Sequence, residues 1–230
     1  MIYVHHPIRG EMIRKVNRFL ALVSIDGRVA QAHIPNSGRL AELMTPGLSV
    51  ILEPADKPER KTSFTLKSVR FQGRWVCVDS TLPNALAEQM AKDTVLPLFE
   101  GYSQVRREVS MGAHRFDMRL DGEGKKPMIV EVKSVTLVKD GVAMFPDAPT
   151  IRGASHLRAL AALGDEGMER LALFIILRSD ASSLLPNLQT DPEFTKALRD
   201  SQKAGVHMRA VKCAVGERNV RILGPVEIGM

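Results

Sequence analysis

The run LALFIILR at positions 171–178 holds seven apolar residues before its first charge. It is far too short to span a bilayer, which takes about 20 such residues. Its unbroken apolar character fits a central strand covered on both faces, as in a sheet with helices packed on either side. The neighbouring segments agree. A helix is predicted over about 151–163, stopping at Gly164; another follows Asp191-Pro192 and ends at Gly205, and VHMRAVKCAV reads as the next strand. Upstream, PNALAEQMAKD (83–93) opens on proline and sets Leu86 and Met90 four apart, as a helix does. Strands are predicted at about 103–111, 114–121 and 128–135. Residues 83–230 therefore read as an α/β domain.

The first eighty residues follow another pattern. Short strands are predicted at roughly 16–25, 28–33, 48–53, 60–71 and 74–79. Ile25-Asp26-Gly27-Arg28 joins the first pair and Gln72-Gly73 the last, both hairpin signals. A short helical piece, GRLAELM, lies between the second and third strands and stops at Thr45-Pro46-Gly47. Five strands and one small helix predict an OB-like β-barrel over residues 1–82. The whole chain is then α+β, a small barrel ahead of a mixed-sheet α/β domain.

Composition narrows the function. At 230 residues both domains can hold a core. Cys77 and Cys213 offer neither a zinc spacing nor a disulfide framework, and MIYVHHPIRGEM lacks the form of a secretory signal. The expectation is a soluble cytoplasmic protein. A net charge of +6 favours anionic partners, nucleic acid first.

Against this background, HRFDMRLDGEGKKPMIVEVKSVT (114–136) is anomalous. Its second strand is mostly apolar yet carries Glu131 and Lys133, which alternation puts on one face with Ile129, opposite Val130 and Val132. On the first strand Phe116, Met118 and Leu120 point one way, and Arg115, Asp117 and Arg119 the other. A hairpin symmetric about Gly124 sets Asp117 opposite Glu131, with Cβ atoms about 5 Å apart. Opposed carboxylates repel; a divalent cation between them turns that repulsion into a binding site. Mg²⁺ or Mn²⁺ takes such hard oxygen ligands. Lys133 on the same face can orient a water or stabilise charge on a phosphate. This is the equipment of metal-dependent phosphodiester hydrolysis. The same Glu-x-Lys spacing also occurs on solvated strand faces, and the spacing alone leaves both readings open.

Other positions carry paired readings. Glu108 is either a further metal ligand or a surface partner of Arg106 or Arg107, while Glu88 lies off the apolar helix face. In FPDAPTIRG, Thr150 reads as an N-cap, and Arg152 and His156 lie four apart on one helical face, able to hold a phosphate. Asp147 is a third acidic group near them or a turn residue. In the barrel, Arg14, Asn17 and Arg18 precede a strand, and HIPNSGR gathers His33, Asn36 and Arg39 around a tight turn, donors for phosphate oxygens or ordinary turn residues. Arg60, Lys61, Lys67, Arg70 and Arg74 make the later barrel basic. Phe64, Phe71 and Trp75 are its stacking candidates; their scarcity favours backbone contacts of low sequence specificity.

Several segments resemble the sugar fermentation stimulation protein A family: NRFLALV (17–23), AHIPNSGRLAELMTPG (32–47), GYSQVRREVSMGAHRFD (101–117), EVKSVTL (131–137) and FPDAPTIRGASHLRAL (145–160). His114 stands where that family has a serine before its arginine. The resemblance implies an OB-like N-terminal domain and a C-terminal domain similar to the PD-(D/E)XK nucleases. It also implies that Asp117, Glu131 and Lys133 form the nuclease core, with Glu108 the next acidic candidate, although Phe116 replaces the proline of the superfamily's name.

The expected function is a nucleic-acid-binding, metal-dependent nuclease, with DNA the first substrate to consider. The alternative is a non-catalytic DNA-binding regulator of sugar metabolism genes, though no helix-turn-helix pattern supports operator reading. A small-molecule enzyme finds no Gly-rich phosphate loop or dinucleotide fingerprint.

Overall fold

A computed structural model describes residues 1–55 and 61–230 of the chain. Six strands come first: β1 (Ile8–Asn17), β2 (Leu20–Ile25), β3 (Arg28–His33), β4 (Ser49–Pro54), β5 (Phe64–Phe71) and β6 (Arg74–Cys77). Two-residue turns close the β2–β3 and β5–β6 hairpins. Asp26-Gly27 and Gln72-Gly73 all take positive φ, as such turns require when they match the twist of the strands. β1 pairs with β2, β2 with β3, β3 with β5, β5 with β4, and β4 again with β1. Five strands thus close on themselves in OB order, around Met12, Val23, Ile34, Leu43, Val50 and Leu66.

The barrel has five strands, as expected, but not the expected five. The predicted strand 16–25 is broken at a turn where Asn17 Oδ1 accepts the Phe19 N–H at 2.9 Å, and β1 precedes it. Charge interrupts the apolar residues of β1, and its ladder to β2 is bulged between Met12 and Arg14, so no alternation showed in the sequence. β6 leaves the barrel to meet the second domain. The helix expected over 38–44 shrinks to one 3-10 turn, Ala41–Met44, entered through Leu40 at φ 51°. Position 60, where a strand start and the basic Arg60 were placed, lies outside the described residues. Lys67, counted among the basic surface residues, is instead tied inward to Asp79 at 2.8 Å and Glu53 at 3.2 Å.

After the barrel come α1 (Leu82–Lys92), β7 (Gln104–Met111), β8 (His114–Asp121), β9 (Met128–Val135), β10 (Val138–Lys139), β11 (Val142–Phe145) and α2 (Ile151–Ala162). The chain ends with β12 (Glu169–Ile176), β13 (Ser183–Pro186), α3 (Pro192–Lys203), β14 (His207–Val215) and β15 (Val220–Ile228). β7, β8 and β9 are antiparallel; β9, β12 and β14 are parallel neighbours. One face of this sheet packs on Leu86 and Met90 of α1, the other on Leu157 and Leu160 of α2 and Leu198 of α3. β12 lies in the middle, so every residue from Leu171 to Leu177 is at most 1% exposed. That burial is why its sequence shows no polar alternation. Among the described residues no helix is long and apolar enough to cross a membrane.

The two halves share a seam. Trp75 of β6 pairs with Val215 of β14, and the Cys77 N–H donates to the Leu177 carbonyl at 3.2 Å. Beside it Arg178, 1% exposed, donates to the Thr136 carbonyl at 3.0 Å, pairs with Asp180 at 2.7 Å, and sits 5.6 Å from the centroid of the Phe71 ring.

One buried carboxylate sets two helix starts. Asp191 accepts the Phe194 N–H at 2.8 Å, capping α3, and with its other oxygen the Thr150 N–H at 2.7 Å. Thr150 Oγ1 in turn accepts the Gly153 N–H at 3.0 Å and caps α2. Asp191→Ala is therefore expected to lower stability by about 1–2 kcal/mol, read as a shifted urea midpoint at unchanged slope.

Candidate active site

The β8–β9 ladder pairs Met118 with Val130, Arg119 with Ile129 and Leu120 with Met128, a register centred on Gly124. One step further this register would set Asp117 opposite Glu131, but the backbone ladder stops at Met118 and Val130. The Asp117 side chain takes over, accepting the Val132 N–H at 2.7 Å on one oxygen and the Asn84 amide at 2.8 Å on the other. The strand also turns over at this point. Phe116, expected on the face of Met118 and Leu120, packs with the α2–α3 core, whereas those two pack with the α1 core. The neighbouring strand accommodates the turn at Glu108, which stands at φ 55° in the middle of β7.

Glu131 and Lys133 project from β9 toward α2 and are 5% and 8% exposed. Glu131 Oε1 accepts Lys133 Nζ at 2.7 Å and meets His156 Nδ1 at 3.0 Å. Arg152 Nε donates to His156 Nε2 at 3.3 Å. A guanidinium can only donate, so Nε2 accepts, Nδ1 carries the hydrogen, and that hydrogen goes to Glu131. Glu131 Oε2 is buried with no hydrogen-bond partner among the described residues, as is Ser134 Oγ. A buried unpaired carboxylate oxygen is costly unless something positive completes it.

The two carboxyls titrate apart. Burial, and then the Glu131 charge, hold the Asp117 carboxyl above the usual aspartate range, against the pull of the Val132 N–H and Asn84. Burial also pushes Glu131 up, but the His156 hydrogen bond and the Lys133 ammonium together outweigh it and leave Glu131 below the usual range.

These groups floor a cleft of about 480 Å³ between barrel and sheet. Arg18, Asn36, Ser37 and Gly38 line its barrel side. The loop 145–150, Arg152 and Arg115 line the other. Asp147 ties the sides together: its carboxylate accepts the Leu40 N–H at 3.2 Å. Gly38 passes so close that a Cβ there would stand 2.8 Å from Asp147 Oδ1.

The remaining expected site residues are scattered. Glu108 points outward and pairs with Arg115, away from the cleft floor. Glu88 pairs with Lys92 at 2.6 Å. Arg18 lines the cleft, its Nε holding the Ser37 carbonyl at 3.0 Å. Asn36 is spent on structure, donating to the Val78 carbonyl at 3.0 Å and accepting the Gly38 N–H at 2.8 Å. Arg14 is exposed on β1, and Arg39 borders adjoining grooves; neither lines this cleft, nor does His33. Asn84, Arg115 and Ser134 escaped the sequence reading.

A hard divalent cation fits this donor set. Two carboxylates with one oxygen unpartnered suit an ion such as Mg²⁺ or Mn²⁺, which keeps several waters and takes few protein ligands. Among the described residues no group of three His, Cys, Asp or Glu gathers into a fuller cage.

An OB barrel followed by a sheet flanked by helices, with Asp117 and the Glu131-x-Lys133 strand at the cleft they share, defines a two-part protein: an N-terminal OB domain and a nuclease-like domain. Residues 13–78 match the SfsA N-terminal OB domain and residues 81–219 the Sugar fermentation stimulation protein RE domain. The chain belongs to the sugar fermentation stimulation protein family. It is 39% identical over 229 residues to the homolog from Alkaliphilus metalliredigens, covering 99% of each chain, and 41% identical over 222 residues to that from Moorella thermoacetica, covering 96% of each. The structure of Pyrococcus furiosus SfsA in complex with Ca²⁺ superposes with a TM-score of 0.91 at 30% identity, covering 100% of this chain and 98% of that one.

Proposed function

We propose that the chain is a divalent-metal-dependent nuclease acting at Asp117, Glu131 and Lys133. The observation that carries the reading is Glu131 Oε2, buried and unpartnered among the described residues, on a floor shared with a second carboxylate and an ammonium. A folded protein keeps such an arrangement at a cost, and a cation removes the cost. The Ca²⁺ complex of the Pyrococcus furiosus relative supports a divalent ion for this chain as well. Asp117 and Glu131 would hold the ion, which when bound would polarise a phosphate oxygen and lower the pKa of a water.

The chain's own groups do the rest. Val132 N–H and Asn84 fix Asp117; His156 and Lys133 fix Glu131. Lys133 Nζ, held at 2.7 Å from Glu131, presents its remaining hydrogens to negative charge building on phosphorus. Arg18 and Arg152 line the cleft with guanidinium groups for neighbouring phosphates, contacts that position a backbone without reading its sequence; Arg115 also lines it but is paired with Glu108. DNA is the first substrate to test.

Cleavage of labelled DNA, RNA and hybrid oligonucleotides with Mg²⁺, Mn²⁺ or chelator tests the proposal, with Lys133→Ala alongside. Metal-dependent cutting that falls at least about 10²-fold in the variant is expected. Binding without cutting under either metal would sink the nuclease reading and leave a DNA-binding regulator.

A further inference from the structure

We infer that nucleic acid enters this cleft as a single unpaired strand, with a base stacked on Phe19. The inference rests on the nuclease reading of the cleft and adds the form of its substrate.

The first observation is depth between walls. Glu131 and Lys133 lie on the floor at 5% and 8% exposure. Arg18, Asn36, Ser37 and Gly38 of the barrel stand on one side and the loop 145–150 on the other, tied across by the Asp147–Leu40 hydrogen bond of 3.2 Å. An enclosure of about 480 Å³ is on the scale of a small ligand. A duplex carries its phosphates on the outside of a wide cylinder, so reaching a floor with Glu131 and Lys133 at 5% and 8% exposure favours a thinner ligand. A single strand is thinner.

The second observation is what stands beside the cleft. Phe19 follows Arg18 directly after the β1–β2 turn and is 48% exposed. Its ring stacks on His33, centroids 6.3 Å apart at 27°, and the Arg18 guanidinium lies 5.4 Å from its centroid. The loop between the first two strands is one of the places where OB barrels take oligonucleotides. An exposed ring beside a guanidinium suits an unpaired base, because every base has a face to stack. Across the cleft, Ile151 is 92% exposed between Thr150 and Arg152, which line it. Phe19 and Ile151 thus flank the cleft on its two sides, each an exposed apolar side chain next to an arginine that lines it. The aromatic residues singled out in the sequence do not serve: Phe64 and Phe71 pack against the barrel core and Trp75 against the α1 core.

The test separates binding from cutting. Asp117→Ala protein is titrated with a labelled single strand containing 2-aminopurine, then with a blunt duplex of the same sequence. Wild-type protein with Mn²⁺ is assayed on the single strand, the blunt duplex and a duplex with splayed ends. The single strand is expected to bind at least tenfold tighter than the duplex, with 2-aminopurine emission quenched by stacking. Adding Phe19→Ala should weaken single-strand binding by about tenfold and abolish the quenching, with duplex binding unchanged and Phe19→Trp retaining both. Phe19 is a surface side chain, so its loss leaves the fold intact. Equal binding of duplex and single strand, or a Phe19→Ala effect that is absent or the same for both, overturns the inference. Phe19-dependent binding of a single strand that no metal allows to be cut supports the inference and removes the nuclease reading alone. A blunt duplex cut as fast as the single strand does the reverse.

Discussion

Asp117→Asn and Glu131→Gln proteins are expected to lose the same activity and to move in opposite directions in stability. Both remove a carboxylate that would hold the metal, so metal-dependent cutting should fall at least about 10³-fold in each. Stability differs because the charges sit differently. Glu131 is the partner of buried Lys133 at 2.7 Å, and a glutamine leaves that ammonium without its counter-charge, a loss of about 3 kcal/mol. Asp117 faces burial and the Glu131 charge, which together raise its carboxyl. An acid raised in the fold costs stability when ionised. The cost is absent below the ordinary aspartate value of 3.8, grows as pH climbs through the raised value, and is complete above it. Asp117→Asn removes that cost and should be more stable than the parent at neutral pH, with the gain fading in acid. The Glu131 carboxyl is held low, so its contribution is present above the ordinary glutamate value and lost as pH falls through the depressed one. Urea unfolding of both variants at pH 7 and pH 4 checks the signs. Two variants destabilised alike, each still cutting, would remove both carboxylates from the chemistry. Calcium titration adds a further reading: ion and proton compete for the Asp117 carboxylate, so affinity should weaken as pH drops toward its raised value.

The sequence made the centre of this molecule legible and its margins obscure, for reasons visible in particular elements. β8 and β9 have the bounds read from the sequence because Gly112 and Gly124, both at positive φ, mark the turns and the apolar runs between have strand length. α2 starts where a threonine cap and two prolines announce it. Asp117, Glu131 and Lys133 stood out because charge in a buried strand needs an explanation, and the structure brings them to one floor. β1 and β15 were missed. One is interrupted by charge and a bulge; the other contains Gly224 and Pro225 and after Val220 is at most half-buried. Asn84 was unreadable because its role exists only across 33 residues of chain and one tertiary contact. Glu108 was left open between metal ligand and surface partner, and the structure gives it a surface arginine other than the two expected. Its spacing puts it level with Asp117, but its backbone at φ 55° turns the side chain out to Arg115. Spacing predicts which residues are neighbours along a regular strand and fails where the strand turns over.

His156 separates a phosphate ligand from a residue that aims another. Arg152 and His156 were expected to hold phosphate together, and the structure gives them unequal positions. His156 is 8% exposed with both ring nitrogens engaged, Nδ1 to Glu131 and Nε2 to Arg152. Its ring has no donor left for a phosphate. On the proposed reading it would hold Oε1 and leave the buried, unpartnered Oε2 to the ion, the part a hydrogen-bonded partner plays behind a metal ligand. His156→Ala is therefore expected to weaken metal binding by about 10–100-fold with little change in nucleic-acid affinity measured without metal. His156→Asn should recover much of the loss, because a carboxamide nitrogen can stand where Nδ1 does. His156→Gln should not, since its amide reaches the place of Nε2. Arg152→Lys keeps a positive charge for phosphate but loses the Nε–H that fixes the His156 tautomer, so it should show a milder version of the same metal defect. Calorimetric titration with Mn²⁺ reads each value directly. A rise in KM for nucleic acid with metal affinity unchanged would return His156 to the phosphate. Recovery by asparagine and not by glutamine would locate its function in a single hydrogen bond to Glu131.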